Sequence, residues 1–259
     1  MESTFELIPN EILLDIFEYL SPSDIFQAFY FLNQRYDRFL LSFALRIDLI
    51  NVSKKIFDYH NYLIFSHAAH RIISLRCEDL FDRLIYQIHL SHFQALKYLT
   101  ISQLHIENLP TVISRLNGLP DLIYLNLDAR TIQTRAEKIV FQGRLPALQK
   151  CFLNIHQPIL FDDQCSYPNL RDLTIDQCTI EDLFSIFPYT PQLQNLTVTL
   201  NNGNIPDEIV PNAQLQSLAI RTNFMPFHRL VHVLFPFVPQ LRRLTVEANG
   251  IDYADGRFP

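Results

Sequence analysis

Leu96-Lys97-Tyr98-Leu99-Thr100-Ile101 carries aliphatic residues at its first, fourth and sixth places, and the same spacing returns six times downstream. It recurs as Leu122-x-x-Leu125-x-Leu127, Leu148-x-x-Cys151-x-Leu153, Leu170-x-x-Leu173-x-Ile175, Leu193-x-x-Leu196-x-Val198, Leu215-x-x-Leu218-x-Ile220 and Leu241-x-x-Leu244-x-Val246. Successive copies start 26, 26, 22, 23, 22 and 26 residues apart. The alternation at the end of each copy predicts a short strand with its aliphatic residues on one side. A unit this short cannot enclose that side alone, so each copy must stack on the next and share one continuous core.

Residues outside the pattern agree with its frame. Two residues ahead of the first leucine stand Pro120, Pro146, Pro168, Pro191 and Pro239, where a loop has to stop before a strand begins. Cys178, Asn201, Asn223 and Asn249 fall eight residues after it, and Ile106, Ile132, Ile180 and Ile251 ten after. The array resembles the leucine-rich repeats, whose period is roughly 20 to 29 residues. That resemblance implies an α/β solenoid of about seven to eight strand-plus-helix or strand-plus-turn repeats. An earlier, degenerate copy is expected near His70, with Ile73 and Leu75 in frame 26 residues upstream. Residues 182–187 and 228–234 are predicted to be helical returns. The chain stops at Arg257-Phe258-Pro259 soon after a strand pattern, so a polar C-terminal cap is expected to be missing.

The start of the chain has a different period. Pro9 suits the first turn of a helix, and Ile12, Leu13, Ile16, Phe17 and Leu20 fall three and four apart on one wide stripe. Ser21-Pro22-Ser23-Asp24 is a second helix start, with a serine cap, a proline at the first position and a carboxylate placed to bond back. Ile25, Ala28, Phe29 and Leu32 continue it. A third helical series runs through Tyr36, Phe39, Leu40, Phe43, Ala44 and Ile47. These apolar positions serve equally well as the core of a small helical bundle, and a unit of this size buries little area by itself.

Leu7-Ile8-Pro9-Asn10-Glu11-Ile12-Leu13-Leu14-Asp15-Ile16-Phe17-Glu18-Tyr19-Leu20 with Ser21-Pro22-Ser23-Asp24 resembles the opening of an F-box. Further on, Leu32-Asn33-Gln34-Arg35-Tyr36 stands one residue out of step with the family's pattern, and Tyr36 takes the place of its tryptophan. The resemblance implies docking onto a Skp-type adaptor, and through it onto a cullin, by Leu7, Pro9, Ile12, Leu13, Ile16 and Leu20, with Ile25 and Leu32 further along. The organisation expected is therefore an F-box-like three-helix module over residues 1–45, a helical junction over 46–69 and a leucine-rich-repeat domain over 70–259.

On the outward side of the strands, Tyr98, Tyr124 and Phe152 are the candidate anchors for a target protein, joined by Arg221 and Arg243. The outward threonines are accounted for by β-propensity. A net charge of −6 and a pI near 5.8 give no general attraction for nucleic acid or anionic membranes, and the outward columns mix both signs. No apolar run is long enough to span a bilayer, and the acidic, polar N-terminus is unlike a secretory signal. A cytoplasmic or nuclear protein with free thiols at Cys77, Cys151, Cys165 and Cys178 is expected, and the sequons at Asn51 and Asn195 are read as chance matches.

No nucleotide-binding, hydrolase, zinc or calcium motif occurs, and five glycines leave little from which to build a phosphate loop. His67-x-x-His70 and His89-x-x-His92 lack further ligands, and Asp162-Asp163 and Glu181-Asp182 are read as solvated turns or helix starts. The expectation is a non-catalytic protein without cofactor or metal, serving as a substrate-recognition subunit of a Skp-cullin-F-box ubiquitin ligase. The alternative is a leucine-rich-repeat scaffold that acts outside any ligase, its first helices serving only as a cap.

Overall fold

In the computed structural model the described residues are 7–78, 88–130, 139–141, 145–155, 159–161, 166–201, 203, 211–212, 214–222 and 238–248. Three short helices come first: α1 (Asn10–Phe17), α2 (Pro22–Phe29) and α3 (Gln34–Leu40). Ser21 caps α2 as its sequence predicts, its Oγ accepting from the Asp24 amide at 3.2 Å and donating to Asp24 Oδ2 at 2.7 Å. Asn33 caps α3 by accepting from the Tyr36 amide at 3.0 Å. Leu13, Phe17, Ile25, Phe29, Tyr36 and Leu40 meet as a small core of their own, with the Phe17 and Phe29 rings 4.8 Å apart.

The third helix is shorter than its periodicity predicts. It ends at Leu40, and Leu45–Leu49 forms β1, with Leu45, Ile47 and Leu49 buried and Arg46 and Asp48 exposed. Residues 46–69 are accordingly not a purely helical junction. β1 belongs to the sheet, α4 (Lys54–Tyr59) follows, and the coil then loosens into a π-helical stretch over His60–Phe65. Strand pairing wins over helix continuation because it puts three aliphatic side chains into the sheet core in one step.

The remaining strands are β2 (Ile72–Glu78), β3 (Tyr98–His105), β4 (Tyr124–Arg130), β5 (Ile139–Phe141), β6 (Lys150–Ile155), β7 (Ile159–Phe161), β8 (Asp172–Thr179), β9 (Asn195–Asn201), β10 (Ser217–Thr222) and β11 (Arg243–Ala248). Nine of them make one parallel sheet in the order β1-β2-β3-β4-β6-β8-β9-β10-β11, so each pairs with its predecessor in that series; β5 and β7 pair separately, also in parallel. The register follows the sequence frame. Leu99, Leu125, Cys151, Leu173, Leu196, Leu218 and Leu244 form one row across the sheet, and Ile101, Leu127, Leu153, Ile175, Val198, Ile220 and Val246 another.

The upstream copy needs a correction. Leu75 stands opposite Leu99 and Cys77 opposite Ile101, a step of 24 residues rather than 26. The inward residues are Ile72, Leu75 and Cys77, while Ile73 is only half-buried, so the copy begins at Ile72 and not near His70. At the strand starts, one carbonyl serves two amides of the next strand: Lys97 O accepts from Ile123 and Tyr124, and Gln149 O from Arg171 and Asp172, at 2.9 to 3.0 Å.

Among the described residues two return segments form the helices α5 (Leu109–Leu116) and α6 (Ile180–Ile186), the latter covering the predicted helical return from 182 to 186, with Phe187 opening a 3-10 turn. Thr179 and Asp182 build a reciprocal capping box at the start of α6, so Asp182 is a structural cap, as the helix-start reading of Glu181-Asp182 expects. The helical return expected at 228–234, the framed residues Ile132, Asn223, Asn249 and Ile251, the pair Asp162-Asp163, Cys165 and the chain's end lie outside the described residues. One apolar core runs the length of the sheet, and Phe26 of α2 is part of it, which seats the N-terminal helices against the β1 end.

Candidate functional site

The N-terminal helices leave a large share of their apolar side chains uncovered. Among the described residues ten large hydrophobic side chains are exposed, and seven of them fall between Leu7 and Leu32: Leu7, Ile12, Leu14, Tyr19, Leu20, Phe31 and Leu32. Such a concentration over 26 residues calls for an explanation that scattered single residues would not need. Every charged residue of that stretch is acidic, namely Glu11, Asp15, Glu18 and Asp24.

Of the eight positions expected to meet an adaptor, Leu7, Pro9, Ile12, Leu20 and Leu32 are exposed, and Ile16 is half-buried against the small core. Leu13 and Ile25 are not available. Leu13 is fully enclosed and Ile25 nearly so within the three-helix core, because each lies on the stripe that the helices turn toward one another. Their role is to hold the helices in place so that the neighbouring side chains project.

Leu14, Tyr19 and Phe31 belong to the same exposed set and were not singled out from the sequence. Phe31 is the most informative. It occupies the turn between α2 and α3 with φ at 66°, a left-handed conformation that is unfavourable for a bulky residue, and it is 70% exposed. Asp37 holds it there, Oδ1 accepting from the Phe31 amide at 2.8 Å, and the rings of Tyr30 and His67 flank it at 4.1 and 6.3 Å. The signal for it was a large apolar residue in a two-helix turn, where no inward direction exists. Arg35 fixes the other end of the assembly by donating to Ile8 O and, at 2.8 Å, to Asn10 Oδ1. Tyr36, in the place of the tryptophan, is buried among the helices.

The second surface is the outer side of the sheet. Tyr98 and Tyr124 stand opposite each other in register, and Phe152 stands opposite Asn126 on the next strand. The three rings form a continuous step across β3, β4 and β6, with centroids 6.4 and 5.5 Å apart. Lys150, in line with the tyrosines, pairs with Asp172 at 2.8 Å, and Asn195 donates to the same carboxylate at 2.6 Å. Burial pushes the Asp172 carboxyl up, but the hydrogen bonds from Lys150 and Asn195 outweigh it and hold it below the usual range; Asp172 in turn raises Lys150. Arg221 is engaged by Glu247 at 2.8 Å, and Arg243 is exposed at the start of β11, so the sheet carries these two cations well away from the aromatic step.

His67 and His70 are exposed, and His89 and His92 bring their rings within 5.5 Å, but no third metal-type donor joins either pair among the described residues. Among those residues no helix is long and apolar enough to cross a membrane. No family model matches the chain, and no curated protein sequence matches it.

Proposed function

We propose that the chain is the target-recruiting subunit of a Skp-cullin-F-box ubiquitin ligase, an F-box-like helical module carried on a leucine-rich-repeat solenoid. The observation that supports this is the uncovered apolar surface of the first three helices, where seven of the ten exposed large hydrophobic side chains among the described residues fall between Leu7 and Leu32. A helical module with its own core and a greasy outer face has the form required for docking on a partner, since burying that face yields roughly 25 cal/mol per Å² before the costs of association. The adaptor would occupy this face, the sheet surface would hold the target, and ubiquitin transfer would belong to other subunits. In the full chain mixed with a purified Skp-type adaptor, a stable complex should elute together at micromolar concentration, and Leu32→Asp should abolish it. Failure of the wild-type chain to form that complex overturns the reading.

A second reading has one observation in its favour. Phe26 enters the sheet core and α2 packs beside β1, so the helices also close one end of the solenoid. On that reading they are a cap, and the chain is a binding scaffold outside any ligase. Capping accounts for the inward side of α2; the outward Leu7, Ile12, Phe31 and Leu32 would remain unexplained.

A further inference from the structure

The outer side of the sheet is electrostatically polarised along its strands. At the strand starts the exposed cations are Arg46, Lys97, Lys150, Arg171, Arg242 and Arg243. Two described carboxylates lie at that edge, Asp172, engaged by Lys150 and Asn195, and Asp121, in the loop before β4. At the strand ends the described side chains have the opposite sign: Glu78, Asp128, Asp176 and Glu247, with Arg221 engaged by Glu247; between the edges the exposed Arg76 is neutralised by Asp48 at 2.7 Å. The aromatic step lies between the two edges, with Lys97 before it, Lys150 in line with its tyrosines and Asp128 beyond it.

We propose that this face takes an extended peptide segment of the recruited protein, with a ring side chain on Tyr98, Tyr124 and Phe152 and an adjacent carboxylate against Lys97 and Lys150. The inference deepens the target-recruiting reading and rests on it. Flat rings held at 41° to one another by the strand register accept another ring or a proline without rearrangement, since the backbone beneath them is fixed. The cations supply orientation, because a carboxylate is drawn to the strand starts and repelled from the strand ends. An aromatic step beside lysines also suits single-stranded nucleic acid. The acidic edge at Glu78, Asp128 and Asp176 runs alongside and opposes a continuous polyanion, whereas a short peptide places its negative charge at one edge only.

The test uses the full chain and four fluorescein-labelled probes: an Asp-Phe-Asp-Pro-Phe decapeptide flanked by Gly and Ser, its counterpart with Lys for Asp, its counterpart with Ala for Phe and Pro, and an oligothymidylate. The acidic ring-bearing peptide should bind about tenfold or more tightly than either altered peptide and than the oligonucleotide, a preference of about 1.4 kcal/mol. Tyr124→Ala with Phe152→Ala should remove that preference, and Lys150→Glu should turn it toward the lysine peptide. Equal binding of all probes, preference for the oligonucleotide, or binding unmoved by these substitutions overturns the proposal. Adaptor co-elution, measured on the same variants, separates the two claims. Loss of peptide preference with the adaptor complex intact sinks only this inference, and absence of the adaptor complex with peptide preference intact sinks only the ligase reading.

Discussion

Ile12 and Leu13 are neighbours on α1 with opposite fates, and changing each alone separates docking from folding. Ile12 is 48% exposed, and Leu13 is 0% exposed in the three-helix core. Fully burying such a side chain yields roughly 1.5 to 3 kcal/mol, so about half of that, ~1 kcal/mol, remains for Ile12 to gain from a partner. Ile12→Ala should weaken adaptor binding by about fivefold, and Ile12→Asp, which leaves an unpaired carboxylate in the covered face, by roughly a hundredfold or more. Neither should lower the unfolding free energy of the free chain by more than about 1 kcal/mol, because Ile12 lies outside the three-helix core and only its covered half is lost. Leu13→Ala should do the reverse, costing about 2 to 5 kcal/mol of stability through the cavity it opens. Titration calorimetry with purified adaptor, paired with urea unfolding of each variant, measures both quantities. Adaptor affinity within twofold of wild type for Ile12→Asp would refute the docking face, and loss of stability in Ile12→Asp equal to that in Leu13→Ala would refute the division between outer face and core.

Three further outcomes follow from the fold. His60 is buried beside Tyr59 and Phe65 with Ser23 Oγ on Nε2 and no partner on Nδ1, and burial lowers its pKa to about 4. The unfolded chain takes the proton near pH 6.5 and the folded chain does not, so stability is full above that value and falls as the pH drops toward 4, by roughly 3 kcal/mol in all. Urea midpoints at pH 7 and pH 5 should show the loss, and His60→Phe should flatten it. Burial also raises the Cys151 and Cys178 thiols, so both should resist iodoacetamide in the native chain and react in urea, as read by mass spectrometry of their peptides. Asp182→Ala removes half of the α6 capping box and a buried acceptor for the Thr179 hydroxyl at 2.6 Å; it should cost about 1 to 2 kcal/mol in the same urea assay.

Much of this architecture is written in the chain. Seven copies of one spacing set the strands and their register from Leu96 onward, because a residue with one side buried permits no slip of the partner strand. The caps at Ser21, Asn33 and Thr179 are local hydrogen bonds between residues three apart, and at Ser21 and in the Glu181-Asp182 pair that locality made the helix start readable. Leu45-Arg46-Ile47-Asp48-Leu49 was ambiguous, since its three aliphatic residues satisfy a period of two while Ile47 also extends the helical series from Tyr36. Only pairing with β2, which lies more than twenty residues away, resolves it as a strand.

The same holds for the surface. That α1 would be amphipathic followed from spacing alone, but whether Leu13 or Ile12 faced the core depended on how α2 and α3 closed over it. Tyr98, Tyr124 and Phe152 were readable as outward neighbours from their frame; that their rings stand 6.4 and 5.5 Å apart in one step, and that cations and carboxylates gather at opposite ends of the strands, required nine strands laid side by side. Periodicity is a property of one segment and survives in the sequence, whereas exposure is a property of what the rest of the chain has already covered.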